Sequence, residues 1–310
     1  MMAVMPRVVV ISTGGTIAAC QDADGVLRPL RTGVELAAGL GAEVIDLLAV
    51  DSSQLTPADW LRIGAAVNAA AAGEADGIVV THGTDSLEET ALWLELTYGG
   101  RAPVVLTGAA RPADAPDADG PGNLSDAVTV AASPLAAGTG VLIAFAGTVF
   151  SPLGTTKVGG PVVFGGTAPL GSVTAGRFTM TATKVRAHLG AVPSPPRVDI
   201  AAAYPGAGGT AIDAFTAAGA RGIVVEAMGS GNAGREVIDA VRRATASGVS
   251  VVITTRVPGG RTGTAYGPAH DLLDAGAVMV PSLRASQARV LLMAALGAGL
   301  PVAEIVARWG

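Results

Sequence analysis

Val79-Val80-Thr81-His82-Gly83-Thr84-Asp85-Ser86-Leu87-Glu88-Glu89-Thr90-Ala91 carries a strand, a tight turn and the start of a helix within one short segment. The β-branched apolar run from Gly77 to Thr81 has strand character, and the apolar spacing at Leu87, Ala91, Leu92 and Leu94 has helical character. Ser86 and Glu89 stand three apart, as in a capping box, so the helix is predicted to start at Ser86. Thr84 and Asp85 then lie at the carboxyl end of a strand, in front of a helix N-terminus. In an open α/β sheet ligands bind at that edge, and the unpaired helix amides favour negative charge there.

The same alternation extends to either side. Arg7 to Ser12 reads as a first strand, followed by a long loop to Pro29 whose Gly and Asp content suggests mobility. Val44 to Val50 is a second strand, and Thr56 and Pro57 open a helix. Val104 to Thr107 and Val141 to Ala146 are strands, with a helix from about Asn123 to Ala132. The fold class expected is α/β: a larger N-terminal, mostly parallel sheet with helices on both faces, plus a smaller C-terminal α/β domain. Short Gly- and Thr-rich pieces from Gly147 to Val185 predict an appended β-hairpin. The expected division is a catalytic domain over 1–190, a linker over 191–209 around Pro193-Ser194-Pro195-Pro196, and a second domain over 210–310. In that domain, strands at Gly222 to Glu226 and Ser250 to Thr254 flank a helix at Arg235 to Ser247, and two helices end the chain.

Composition excludes several function classes. Of 310 residues, 50% are hydrophobic and 15% charged, but much of the apolar share is Ala broken by Gly, Pro and charges. No run approaches the ~20 apolar residues that span a bilayer. Val8 to Ile11 leads straight into Ser12-Thr13-Gly14-Gly15-Thr16, as a strand leads into its loop and not as a signal peptide ends. One cysteine, Cys20, precludes an intramolecular disulfide, and three histidines without partner cysteines give no metal-ligand spacing. The formal charge of -5 without a basic stripe argues against a nucleic-acid partner. The expectation is a cytoplasmic protein with no metal, no cofactor and no membrane or nucleic-acid partner.

Thr13 to Thr16, Ser53-Gln54, Thr84-Asp85 and Ala109 to Arg111 each follow the carboxyl end of a predicted strand. In a parallel sheet these four loops share one edge, so their polar groups converge. A threonine hydroxyl is a weak nucleophile until a base takes its proton. Thr16 and Thr84 are the candidates, and Lys157, isolated among Gly and Thr, is the candidate base if burial or a cationic neighbour keeps it neutral. Asp85 would hold that lysine or grip a substrate ammonium. Spacing equally allows Thr84 and Asp85 to cap the helix and Lys157 to be a solvated turn residue. Backbone amides at Gly15 and Gly83 are candidate oxyanion-hole donors, and Ser53 and Gln54 candidate donors to a substrate carboxylate. His82 reads as packed at a strand end and Cys20 as a bystander. Gly229-Ser230-Gly231-Asn232-Ala233-Gly234 matches the dinucleotide fingerprint, yet the next strand ends in Thr254-Thr255-Arg256 without the acidic residue that binds a ribose. An arginine there leaves a 2′-phosphate variant open.

Ser12-Thr13-Gly14-Gly15-Thr16-Ile17-Ala18, and Thr81-His82-Gly83-Thr84-Asp85 with Glu88-Glu89-Thr90-Ala91, resemble the two signature motifs of bacterial-type L-asparaginases. The resemblance continues in order through Asp51-Ser52-Ser53-Gln54, Thr107 to Pro112 with Asp119-Gly120 and Asn123, Thr156-Lys157, Arg256 to Gly259 and Gln287 to Leu292. It implies hydrolysis of the asparagine side-chain amide, and to a varying degree glutamine's, through an acyl-enzyme. Thr16 would be the first nucleophile, on a lid loop. Thr84, Lys157 and Asp85 would form a second triad, with Ser53, Gln54 and Asp85 holding the substrate's α-carboxylate and α-amino groups. Gly15, Gly83 and Ala109 complete the implied substrate-binding set. A homodimer or homotetramer is implied, with the C-terminal domain at the subunit interface and Asn232 reaching a partner's site. Two departures accompany this. Gln21 to Leu30 lacks the family's lid tyrosine, with Val26 near its place. Arg261 to Pro268 lacks the carboxylate that secreted members supply from a neighbouring subunit, and carries Tyr266 instead, a candidate to replace the lid tyrosine. No tRNA-facing domain of the kind a transamidosome subunit needs is expected before Arg7. A glutaminase or other small-amide hydrolase of the family is the alternative, and so is a catalytically weak amino-acid-binding protein.

Overall fold

Val8-Val9-Val10-Ile11-Ser12-Thr13-Gly14 is buried at every position, the pattern of a central strand whose two faces are both covered. The computed structural model describes residues 6–160 and 163–310, in two units that divide between His188 and Leu189. The first unit contains, in order, β1 (Val8–Gly14), β2 (Ala19–Gln21), β3 (Leu27–Pro29), α1 (Gly33–Leu36), β4 (Glu43–Val50), α2 (Pro57–Ala72), β5 (Gly77–Thr81) and α3 (Leu87–Thr97). It continues with β6 (Val104–Thr107), α4 (Gly120–Ala131), β7 (Val141–Phe145), β8 (Thr148–Phe150), β9 (Thr156–Lys157), β10 (Phe164–Gly165), β11 (Gly171–Thr174) and β12 (Arg177–Met180). Among the described residues its main sheet has eight strands in the order β12-β11-β8-β7-β6-β5-β1-β4. The run from β7 to β4 is parallel throughout, and β8, β11 and β12 extend it antiparallel.

Side-chain alternation along the strands sends Val10, Val79 and Val105 to one face, where Leu124, Ala127 and Val130 of α4 cover them. The opposite face is covered by α2 and α3, whose Trp60 and Trp93 stack with ring centroids 5.7 Å apart. Gly77 is required where α4 ends on β5, because a Cβ there would lie 2.1 Å from the Ala131 carbonyl oxygen.

The second unit contains β13 (Val198–Ala202), α5 (Thr210–Ala217), β14 (Gly222–Ala227), α6 (Arg235–Ala246), β15 (Ser250–Thr255), α7 (Gly267–Asp274), β16 (Val278–Met279), α8 (Ala285–Gly297) and α9 (Val302–Trp309). Its parallel sheet has the order β13-β14-β15-β16, with α8 packed across β13, β14 and β15.

The structure departs from the sequence expectation at several elements. The segment 191–209, expected as a linker, contains β13, and Val192 packs so closely that a Cβ on Gly297 would meet its Cγ1 at 2.4 Å. Neighbouring prolines mask the strand signal there. The loop from Thr13 to Pro29 holds a 3-10 turn at Thr16–Ala18 and the β2–β3 hairpin. Asp22 organises the hairpin's turn by accepting from the Asp24 and Val26 amides at 2.9 Å, so its acidic and glycine-rich composition marks a turn. Ser86 occupies the N-cap position of α3, but its side chain makes no cap hydrogen bond and donates instead to the Ser52 carbonyl at 2.6 Å.

Sequence pattern gave no hint of the charge pair buried beneath β7. Lys184 Nζ lies 2.6 Å from Glu95 Oε1, with side chains 2% and 1% exposed. Glu95 also accepts from the Val141 amide at 2.9 Å and the Ala187 amide at 3.1 Å, and Lys184 donates to the Thr139 carbonyl at 2.7 Å. Burial pushes the Lys184 pKa down against the opposing pull of Glu95. Breaking such a pair strands a desolvated charge. Glu95→Ala is therefore expected to cost about 3–5 kcal/mol of unfolding free energy, measured by urea denaturation at neutral pH.

Candidate active site

The order β5-β1-β4 sets three strand ends side by side, and glycine allows their loops to touch. Gly14 and Gly15 have φ of 99° and 79°, a region that side chains disfavour. A Cβ on Gly15 would lie 2.3 Å from both Cα and N of Gly83, and one on Gly83 would lie 2.5 Å from Ser52 Oγ. The residues that follow these two glycines, Thr16 and Thr84, are thereby brought onto adjacent loops. Thr13 Oγ1 donates to the Thr81 carbonyl at 2.7 Å and locks the two strand ends together. The Gly15 amide donates to the Val50 carbonyl at 3.0 Å, which corrects its expected part as an oxyanion donor. Its contribution is the close approach itself.

Lys157 reaches this edge from β9. Its Nζ donates to Thr84 Oγ1 at 2.8 Å and lies 2.6 Å from Asp85 Oδ1. Thr84 is buried, whereas the Lys157 and Asp85 side chains are 37% and 57% exposed. A simple turn-and-cap role for these three residues does not require such a cluster. The burial or cationic neighbour expected to neutralise Lys157 is not what its contacts provide, since its ammonium faces a carboxylate. Beside it Asp51 Oδ1 accepts from Ser53 N at 2.9 Å and Ser53 Oγ at 2.5 Å. These hydrogen bonds, with a smaller contribution from the Lys157 charge, hold the Asp51 pKa below the usual carboxylate range. Sequence reading assigned Asp51 no part, although an Asp two residues before a serine is a turn signal. Gln54 is exposed at the end of the same 3-10 turn.

The fourth loop is pinned by α4. Asp119 accepts from the Ala110 and Arg111 amides, and Asn123 donates to the Gly108 carbonyl at 2.9 Å while its Oδ1 accepts from the Ala146 amide at 3.0 Å. Ala109 is fully buried between them. Asn232 and Tyr266 lie in the second unit. Asn232 has a buried Oδ1 without a hydrogen-bond partner, and Tyr266 is 63% exposed ahead of α7. The glycine-rich stretch around Asn232 closes on itself, with the Gly231 and Asn232 amides donating to the Met228 carbonyl at 3.0 and 2.8 Å. Amides so engaged are not open to a pyrophosphate, which removes the support for a dinucleotide site. Among the described residues no group of three or more His, Cys, Asp and Glu is placed to hold a metal ion. No described helix is long and apolar enough to cross a membrane.

His82, at the turn out of β5, is fully buried. Its Nδ1 lies 2.7 Å from the Gly83 carbonyl, which can only accept, so Nδ1 carries the proton and Nε2 accepts from Thr90 Oγ1 at 2.9 Å. Burial lowers its pKa from 6.5 to about 4, outweighing the Gly83 hydrogen bond. Between those values the unfolded chain binds a proton that the folded protein refuses, so stability falls as pH drops from 6.5 to 4. The loss is expected to be about 3 kcal/mol. Urea unfolding across that window checks it, with His82→Gln showing the smaller pH dependence.

The family described as Asparaginase, N-terminal matches residues 7–183, and that described as Glutaminase/Asparaginase C-terminal domain matches residues 197–308. A probable L-asparaginase of Deinococcus radiodurans is 37% identical over 96% of this chain and 95% of its own length. A glutaminase-asparaginase of Pseudomonas fluorescens biotype A is 31% identical over 83% of this chain and 77% of its own. The crystal structure of a probable cytoplasmic L-asparaginase from Campylobacter jejuni superposes with a TM-score of 0.86 at 29% identity, covering 97% of this chain and 99% of that one. The chain belongs to the glutaminase/asparaginase family, amidohydrolases of asparagine- and glutamine-like side-chain amides.

Proposed function

We propose that the protein is an L-asparaginase that converts L-asparagine and water to L-aspartate and ammonia, with Thr16 as the nucleophile. The observation that carries this reading is the Lys157 ammonium bridging Thr84 Oγ1 at 2.8 Å and Asp85 Oδ1 at 2.6 Å. Thr16 Oγ1 attacks the amide carbon, the amide nitrogen takes a proton, and the C–N bond breaks to release ammonia and leave an ester on Thr16. Water then attacks the ester and returns Thr16 its hydroxyl hydrogen. Ser53 and Gln54 donate to the substrate α-carboxylate, with Gly83 and Ala109 lining the site.

Lys157 works as a base only when neutral, and the substrate itself supplies the means. Its α-ammonium takes Asp85 as partner, which strips Lys157 of its counter-ion and sets a cation beside it. Both effects favour the neutral amine. Once Lys157 has released one proton to solvent, its amine accepts the Thr84 proton as Thr84 activates the attacking water. An exposed ion pair of this kind is worth ~0–1 kcal/mol, so the exchange of partners is inexpensive.

Glutamine hydrolysis is the second reading, favoured by the glutaminase-asparaginase relative. One methylene in a pocket is worth only about 1–3 kcal/mol. The protein is further proposed to act as a homodimer or homotetramer, with Asn232 and Tyr266 facing a neighbouring subunit. A cytoplasmic location follows the description of the Campylobacter jejuni relative. Ammonia release from L-asparagine and L-glutamine by the wild type, Thr16→Ala and Thr84→Ala tests the assignment. Each substitution is expected to lower asparagine turnover by at least about 1,000-fold, and the wild-type ratio sets the substrate. A wild type that binds asparagine without releasing ammonia would instead be an amino-acid-binding protein.

A further inference from the structure

We propose that Glu88 is a positioning residue for the reaction, holding the Lys157 backbone so that its amine meets Thr84 and Asp85. The inference rests on the reading of Thr84 and Lys157 as a proton relay. Lys157 sits on β9, a strand of two residues that pairs with β10 and stands outside the eight-stranded sheet among the described residues. The main sheet's ladder therefore does not locate it.

The pairing pattern shows where its backbone points. Lys157 is opposite Phe164, and the Val158 amide donates to the Val163 carbonyl at 2.9 Å. Hydrogen-bonded and non-hydrogen-bonded pairs alternate in an antiparallel ladder, so Lys157 occupies a non-hydrogen-bonded pair and its N–H turns away from β10. Glu88 meets it there. Its Oε2 accepts from the Lys157 amide at 2.5 Å across 69 residues of sequence, and Glu88 is only 6% exposed.

Glu88 lies in the first turn of α3, the helix preceded by Thr84 and Asp85. One helix start thus grips the same lysine twice, through Asp85 at Nζ and Glu88 at the backbone amide. A carboxylate suits the second grip, because a charge-assisted hydrogen bond is shorter and stronger than a neutral one. Glu88 touches no reacting atom in this scheme. Its effect is on where the amine sits.

The test compares Glu88→Met, which keeps the length and packing but accepts no hydrogen bond, with Glu88→Gln, whose amide oxygen still accepts. Steady-state hydrolysis of L-asparagine, L-aspartate affinity and thermal melting are read for each. A shift of an ångström in a catalytic group costs up to about 100-fold, so Glu88→Met is expected to lower kcat about 10- to 100-fold with KM and L-aspartate affinity changed less than about threefold. Glu88→Gln is expected to recover most of kcat. Wild-type kcat in Glu88→Met overturns the proposal, as does equal loss in both variants, or kcat and KM failing together with the melting temperature. Glu88→Ala is made in parallel and read the same way should the methionine variant not fold. Lys157→Ala separates the two levels. If it retains full activity, the relay reading fails; if it is inactive while Glu88→Met is normal, only the role of Glu88 fails.

Discussion

The approach of two bare backbones, Gly15 against Gly83, is the constraint on which the site depends. A side chain at either position would collide with atoms only 2.3 to 2.5 Å away, so the ends of β1, β5 and β4 meet only because nothing projects between them. Three further hydrogen bonds fix that meeting: Thr13 to the Thr81 carbonyl, Ser86 to the Ser52 carbonyl, and the Gly15 amide to the Val50 carbonyl. None of these groups is free for chemistry. They hold in register the residues that follow, Thr16, Thr84 and Ser53.

Two lysine–carboxylate pairs in the first unit show how burial assigns different work to the same chemistry. Glu95 and Lys184 are almost wholly buried and each has further backbone partners, so the pair ties the segment after β12 to α3 and β7. Asp85 and Lys157 are partly exposed. The first is costly to separate and the second is not. The proposed mechanism, in which the lysine gives up its counter-ion, calls for the second kind.

The strands β5 and β6 were legible in the sequence to the residue, because each is a continuous β-branched run that both faces of a parallel sheet bury. The convergence of four loops followed from the parallel order alone. Residue type and loop position alone make Thr84, Asp85 and Lys157 candidates, and the structure sets them within hydrogen-bond distance. What escaped was weakly patterned. The β2–β3 hairpin pairs three residues with three, β13 follows a proline-rich stretch, and α5 and α7 are eight residues each. Ser86 had the right position for a cap and the wrong partner, since a carbonyl on a neighbouring loop competed for its hydroxyl.

Apolar periodicity and turn chemistry are local properties, so they suffice to say which segments are strands and helices and, through strand direction, which loops share an edge. Partner choice between distant residues is not local. Glu88 binds the Lys157 amide across 69 residues, and Glu95 binds the Ala187 amide across 92. In the sequence Glu95 is an unremarkable acidic residue on a helix, and Glu88 belongs to a motif that does not name its partner. Only the assembled sheet, by setting α3 beside β9 and beside the segment after β12, gives those carboxylates their donors.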